Sequence, residues 1–153
     1  MSAFKRMFFF VLVAASFFTI TTAAYAEPFS FKPPPGTDKA YKEAGIDSLQ
    51  YLQDWGCSLI SSGGGYINLT DFTQAYQDVD YIMVRLYLQR WNGSNWVDLA
   101  SWPFQKSYNS SVNGVISLQV ARGYYYRVWA YHSLANNGAN ECAYSYSSSL
   151  FIN

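Results

Sequence analysis

Apolar and polar residues alternate along most of the chain after Trp55. The clearest run is 81–91, where Ile82, Val84, Leu86 and Leu88 point one way and Met83, Arg85, Tyr87, Gln89 and Trp91 point the other. A period of two marks a strand buried on one face. Asn92-Gly93-Ser94-Asn95 supplies a hairpin turn, and Val97 and Leu99 continue the apolar face across 96–102. Shorter runs repeat the pattern. They are 57–61, 66–70 after the Gly63-Gly64-Gly65 turn, 115–120, 124–132 after Arg122-Gly123, and 142–151 after the Asn136-Asn137-Gly138 loop.

Seven short strands separated by turns predict an all-β domain, an antiparallel immunoglobulin-like β-sandwich over 55–153. In that order the strands are A (57–61), B (66–70), C (81–91), C′ (96–102), E (115–120), F (124–132) and G (142–151). Gly123-Tyr124-Tyr125-Tyr126 opens strand F, where such folds place a tyrosine whose hydroxyl returns to upstream backbone. Tyr124 and Tyr126 share a face with Val128 and Ala130, so either fits that role.

The chain ahead of the domain divides in two. Lys5 and Arg6 precede an apolar run from Phe8 to Ile20, and Ala24-Tyr25-Ala26 closes it with small residues. This is the pattern of a secretory signal peptide over 1–26. An uncleaved anchor would need nearly all of 7–24 to span a bilayer, which requires roughly 18 apolar residues. Residues 27–54 then form a Pro-rich tail, with Pro28, Pro33, Pro34, Pro35 and Gly36, and an irregular or short helical entry at 38–54.

Charge narrows the partners. Without Lys5 and Arg6, eight basic residues face ten acidic ones, a net charge of −2. Such a balance leaves no electrostatic footprint for nucleic acid. No second apolar stretch is long enough to hold the mature chain in a membrane. Aromatic content is the outlying feature, with 14 Tyr and 5 Trp. Cys57 and Cys142 are the two cysteines. In an exported protein whose first and last strands lie together, they are expected to form a disulfide, worth about 4 kcal/mol at most in the chain-entropy model. Two buried thiols are the alternative.

Three motifs stand out: Cys57-Ser58 with Ser61-Ser62-Gly63-Gly64-Gly65, then Tyr87-Leu88-Gln89-Arg90-Trp91-Asn92-Gly93 with Trp96, and Gly123-Tyr124-Tyr125-Tyr126-Arg127-Val128. Together they resemble a family of small secreted proteins of Gram-positive bacteria with no assigned function. The resemblance runs from about Gly56 to the C-terminus and leaves the Pro-rich stretch aside. It implies a secreted β-domain and supplies no catalytic residue. The Arg127-Val128-Trp129 run is also similar to fibronectin-type strands, an analogy of fold alone.

Sites for chemistry are sparse. His132 is the only histidine; by parity it falls on the Val128 side, which predicts a packed or loop-edge residue rather than a catalytic base. One His and two paired cysteines make no typical zinc site, Asp78 and Asp80 lack the dense loop of a calcium site, and no cofactor motif appears. Asn68, Asn92 and Asn109 begin glycosylation sequons of the kind an Asn- and Ser-rich chain produces by chance.

What remains is a surface. With Leu86 and Val128 inward, Arg85, Tyr87, Gln89 and Trp91 share an outward face with Tyr125, Arg127, Trp129 and Tyr131, and Trp96 and Trp102 extend it over C′. Such a face binds a glycan by ring stacking or a protein through aromatic and Arg hot spots, or it is a self-sufficient ladder. The expectation is a secreted, non-enzymatic protein that binds extracellular or cell-wall glycan. The alternative is a protein-interaction or self-assembling component, with a small enzyme third.

Overall fold

The computed structural model describes residues 33–34, 40–45 and 49–153. The leader at 1–26 and most of the Pro-rich run lie outside the described residues. Seven strands form one sheet: β1 Tyr41–Ala44, β2 Leu52–Gly63, β3 Tyr66–Trp91, β4 Trp96–Gln119, β5 Tyr124–Asn136, β6 Ala139–Tyr146 and β7 Leu150–Ile152. Every pairing is antiparallel. No helix occurs among the described residues. The all-β antiparallel class and the strand number agree with the alternation.

The division into short strands does not. Strands B and C are one 26-residue strand, β3, and C′ and E are one 24-residue strand, β4. Residues 71–80 contain no Gly or Pro, and their alternation persists, with Asp71, Thr73, Ala75 and Val79 buried. Lacking a breaker, the chain bends instead. The β3–β4 register shifts between Gln74 and Val79, and Tyr108 on the facing strand takes the left-handed conformation at φ 50°.

The long β3 is therefore a spine. Its first half pairs with β2, its second half with β5, and β4 runs along its whole other edge. Beyond β5 lie β6 and then β1, while β7 pairs the start of β5. The sheet curls until β2 packs over β5, β6 and β7. Between them sits the core, which includes Leu59, Ile67, Leu69, Val84, Leu86, Leu88, Val128, Ala130 and Leu134.

The entry at 38–54 also differs from expectation. Tyr41–Ala44 pairs with residues 143–146 of β6, and β2 already begins at Leu52. A four-residue edge strand is held by its partner across the sheet, which no local propensity encodes. Two local signals agree with the sequence. Asn137 and Gly138 both have positive φ, as a two-residue hairpin turn requires. Tyr126 is buried, and its hydroxyl donates to the Ala121 carbonyl at 2.8 Å.

Candidate interaction surface

On β5, Tyr126, Val128, Ala130, His132 and Leu134 are buried, while Tyr125, Arg127, Trp129 and Tyr131 are half-buried on the opposite face. Tyr87 on β3 pairs with Trp129, Trp129 with Tyr146 on β6, and Tyr146 with Tyr41 on β1. Cross-strand neighbours share a face, so four rings stand in a row across four strands. Tyr87 and Trp129 are 4.0 Å apart at 7°, Trp129 and Tyr146 6.3 Å at 20°, and Tyr146 and Tyr41 4.4 Å at 12°. Near-parallel rings at these spacings rest face on face. Burial raises the Tyr146 hydroxyl above its ordinary value, and Tyr41 beside it adds to the effect.

Arg127 anchors the next row. Its guanidinium lies 4.5 Å from the Trp96 ring and 5.4 Å from Tyr146. Arg127 Nε donates to Gln89 Oε1 at 2.7 Å, and Gln89 Nε2 donates to Asp98 Oδ1 at 2.7 Å. The same Asp98 oxygen accepts Trp129 Nε1–H at 3.2 Å. Burial draws the Arg127 guanidinium below its ordinary value, against the pull of Tyr41, Tyr146 and Asp98.

Of the nine residues expected on this face, Tyr87, Trp96, Arg127 and Trp129 are joined in that network. Tyr125 stacks at a tilt on Phe151, Tyr131 on Tyr144, and Arg85 is exposed opposite Tyr131. Trp91 shares the face but is only 7% exposed, with the Trp96 ring 5.4 Å away. It is a support rather than an accessible contact.

Trp102 does not join. The β3–β4 register slips between Leu88 and Gln89, and Leu99 is the unpaired extra residue, so Trp102 falls opposite Leu86 and packs on the core beside Phe104. One bulged residue flips every later side chain of a strand to the other face. Tyr41, Asp98, Tyr144 and Tyr146 belong to the surface and were missed. The signal for Tyr144 and Tyr146 was present, since they alternate with Ala143 and Ser145.

The expected disulfide is absent: Cys57 and Cys142 are not bonded. Cys57 looks inward, its Sγ 3.8 Å from the Val128 carbonyl, with Ser145 beside it. Cys142 has the opposite parity to Ser145 on β6 and lies on the outer side with Tyr144 and Tyr146. Strand β6 itself separates the two sulfurs. Burial pushes the Cys57 thiol up to about 11.

The core holds a polar line of its own. His132 is fully buried, its Nδ1 2.7 Å from Thr73 Oγ1 and its Nε2 2.8 Å from Ser145 Oγ. Burial lowers the imidazole to about 3, with Lys42 adding to the effect. A serine beside a histidine is a nucleophile–base geometry, but Ser145 is 1% exposed and the imidazole is a weak base. Asp71 lies opposite Cys57, buried, with no hydrogen-bond partner for either carboxylate oxygen. Burial raises it to about 6, countered in small part by the Gly114 amide opposite, which falls short of hydrogen-bonding geometry. Asp80 accepts the Asn137 N–H at 2.9 Å, a turn duty. Among the described residues no group of three or more His, Cys, Asp or Glu side chains is arranged to hold a metal.

No protein-family model matches the chain, and no curated protein matches its sequence.

Proposed function

We propose that the chain is exported by its 1–26 leader and acts as a non-enzymatic binding protein, its aromatic face engaging a protein partner. We read the curled sheet as an immunoglobulin-like sandwich whose corners are left unbroken. Three features support that reading: β2 pairs the first half of β3, β5 pairs its second half and β6, and Tyr126 caps the corner.

The observation that carries the binding role is the stacked row Tyr87–Trp129–Tyr146–Tyr41 with Arg127 beside it. It offers half-buried, pre-ordered aromatic rings beside a guanidinium at low entropy cost, the chemistry of protein recognition surfaces. A sugar needs an open ring face, and the central rings turn theirs toward one another. A glycan is the second reading, favoured by Tyr41, the exposed ring that ends the row.

The test uses fluorescently labelled protein from Glu27 onward, added to cells of the producing organism. Binding abolished by prior protease treatment of the cells, and weakened by Arg85→Glu, supports a protein partner. Binding that survives protease and is competed by purified cell-wall polysaccharide transfers the role to glycan. No binding in either state overturns the proposal.

A further inference from the structure

The outward positions of β5 change character along the strand. They read Tyr125, Arg127, Trp129 and Tyr131, then Ser133 and Ala135. Ala135 lies between Tyr81 of β3 and Asn140 of β6, and Ser133 between Met83 and Cys142. Two small side chains flanked by taller ones leave a groove of about 330 Å³, bounded by Tyr81, Tyr131, Ser133, Ala135, Asn140 and Cys142. That is the small end of the range for ligand sites, roughly 300–1,000 Å³. It suits a sugar unit or two rather than a polypeptide.

Among the described residues the lining carries no Lys or Arg. Its one carboxylate, Glu141, is buried and already engaged. Glu141 Oε1 accepts the Gln50 and Tyr51 N–H groups at 2.7 and 2.9 Å, and Oε2 accepts those of Tyr51 and Leu52 at 3.1 and 2.7 Å. Among the described residues the groove thus has no free charge to offer an anion or a cation. What it offers is neutral. The Tyr131 ring meets Tyr144 at 47°, so it is not closed by a parallel neighbour as the ladder rings are. The Tyr81 ring is steadied by its hydroxyl, which donates to Gln105 Oε1 at 2.8 Å. Ser133, Asn140 and Cys142 bring a hydroxyl, an amide and a thiol to the same lining.

We propose that this groove binds a neutral sugar unit, with Tyr81 and Tyr131 supplying ring contacts and Ser133 and Asn140 supplying hydrogen bonds to its hydroxyls. A sugar seated here leaves Tyr87, Trp129 and Tyr146 stacked, so the site stands or falls independently of the protein-binding face.

The probes are chitotriose, cellotriose and, as an anionic control, trigalacturonate, titrated into ¹⁵N-labelled protein from Glu27 onward. At least one neutral probe should bind with a dissociation constant on the order of 1 mM. The affected amides should be those of Ser133, Ala135, Asn140 and Cys142. Ala135→Phe fills the floor from an outward position with a residue strands accept, and should weaken binding about tenfold without lowering the unfolding midpoint. Tyr81→Ala should do the same by removing a wall, while Trp129→Ala should leave sugar binding intact. The proposal is overturned if neither neutral probe moves these amides, or if trigalacturonate binds equally well. It is also overturned if the shifts centre on Tyr87 and Trp129, or if Ala135→Phe has no effect.

Discussion

The rings of Tyr87 and Trp129 lie 4.0 Å apart and 7° from parallel, on the face of the sheet opposite the fully buried Leu86 and Val128. Trp129 also meets Tyr146 and donates to Asp98. Removing it forfeits two ring contacts and one exposed hydrogen bond, so Trp129→Ala should cost about 1–3 kcal/mol. Leu86→Ala leaves a cavity in the core and should cost about 2–5 kcal/mol. Urea unfolding of the two variants tests the order. A Trp129→Ala loss above about 3 kcal/mol and as large as that of Leu86→Ala would mean the row is core rather than surface.

The separation of Cys57 and Cys142 by β6 predicts two free thiols of unequal reactivity. Alkylation under denaturing, non-reducing conditions should label both. In the native protein Cys142 should react first, because the Cys57 thiolate is disfavoured by burial. Mass spectrometry that finds neither residue labelled after denaturation would restore the disulfide.

The parts of this structure legible in the sequence are those set by alternation against one core. Ile82, Val84, Leu86 and Leu88 read inward because a half-buried strand has a period of two, and Tyr126 was one of two candidates for its corner. Trp102 was misread because the bulge at Leu99 leaves no mark in a hydrophobic pattern. The continuity of β3 was hidden because Asp71 and Thr73, polar by type, occupy inward positions that alternation assigns to apolar residues. Tyr41 was missed because its strand exists through β6, a partner about a hundred residues away in sequence. The groove follows from Ser133 and Ala135 succeeding Tyr131, a change of side-chain size that becomes meaningful once Tyr81 and Asn140 are known to flank it.

Gly114 shows how closely the bend of β4 is packed. A Cβ placed there would collide with the Phe104 ring. Gly114→Ala should therefore destabilise by about 1–3 kcal/mol through overpacking. Phe104→Leu should relieve part of that cost in the double variant, giving a coupling energy above about 0.5 kcal/mol. Strict additivity of the two substitutions would show that the ring is not what excludes the methyl group.

The most informative measurement concerns Asp71 and His132, whose effects on stability oppose each other. The folded His132 titrates at about 3 against an ordinary 6.5. Its contribution is fully present above pH 6.5 and is lost as the pH falls toward 3. Asp71 titrates at about 6 against 3.8. Its neutral form suits the core, so it adds stability as the pH falls from 6 to 3.8 and costs stability at pH 7. Between pH 6 and 4 the two slopes should largely offset, leaving the wild-type profile shallow until acid protonates His132. Asp71→Asn removes one side of that balance. The variant should be more stable than wild type at pH 7 by about 1–3 kcal/mol, and should then lose stability steadily below pH 6.5, where wild type does not. Urea midpoints across pH 3.5–7.5 decide it. Parallel profiles for the two proteins would mean that Asp71 keeps its ordinary titration, and that the buried carboxylate is solvated in a way its burial does not indicate.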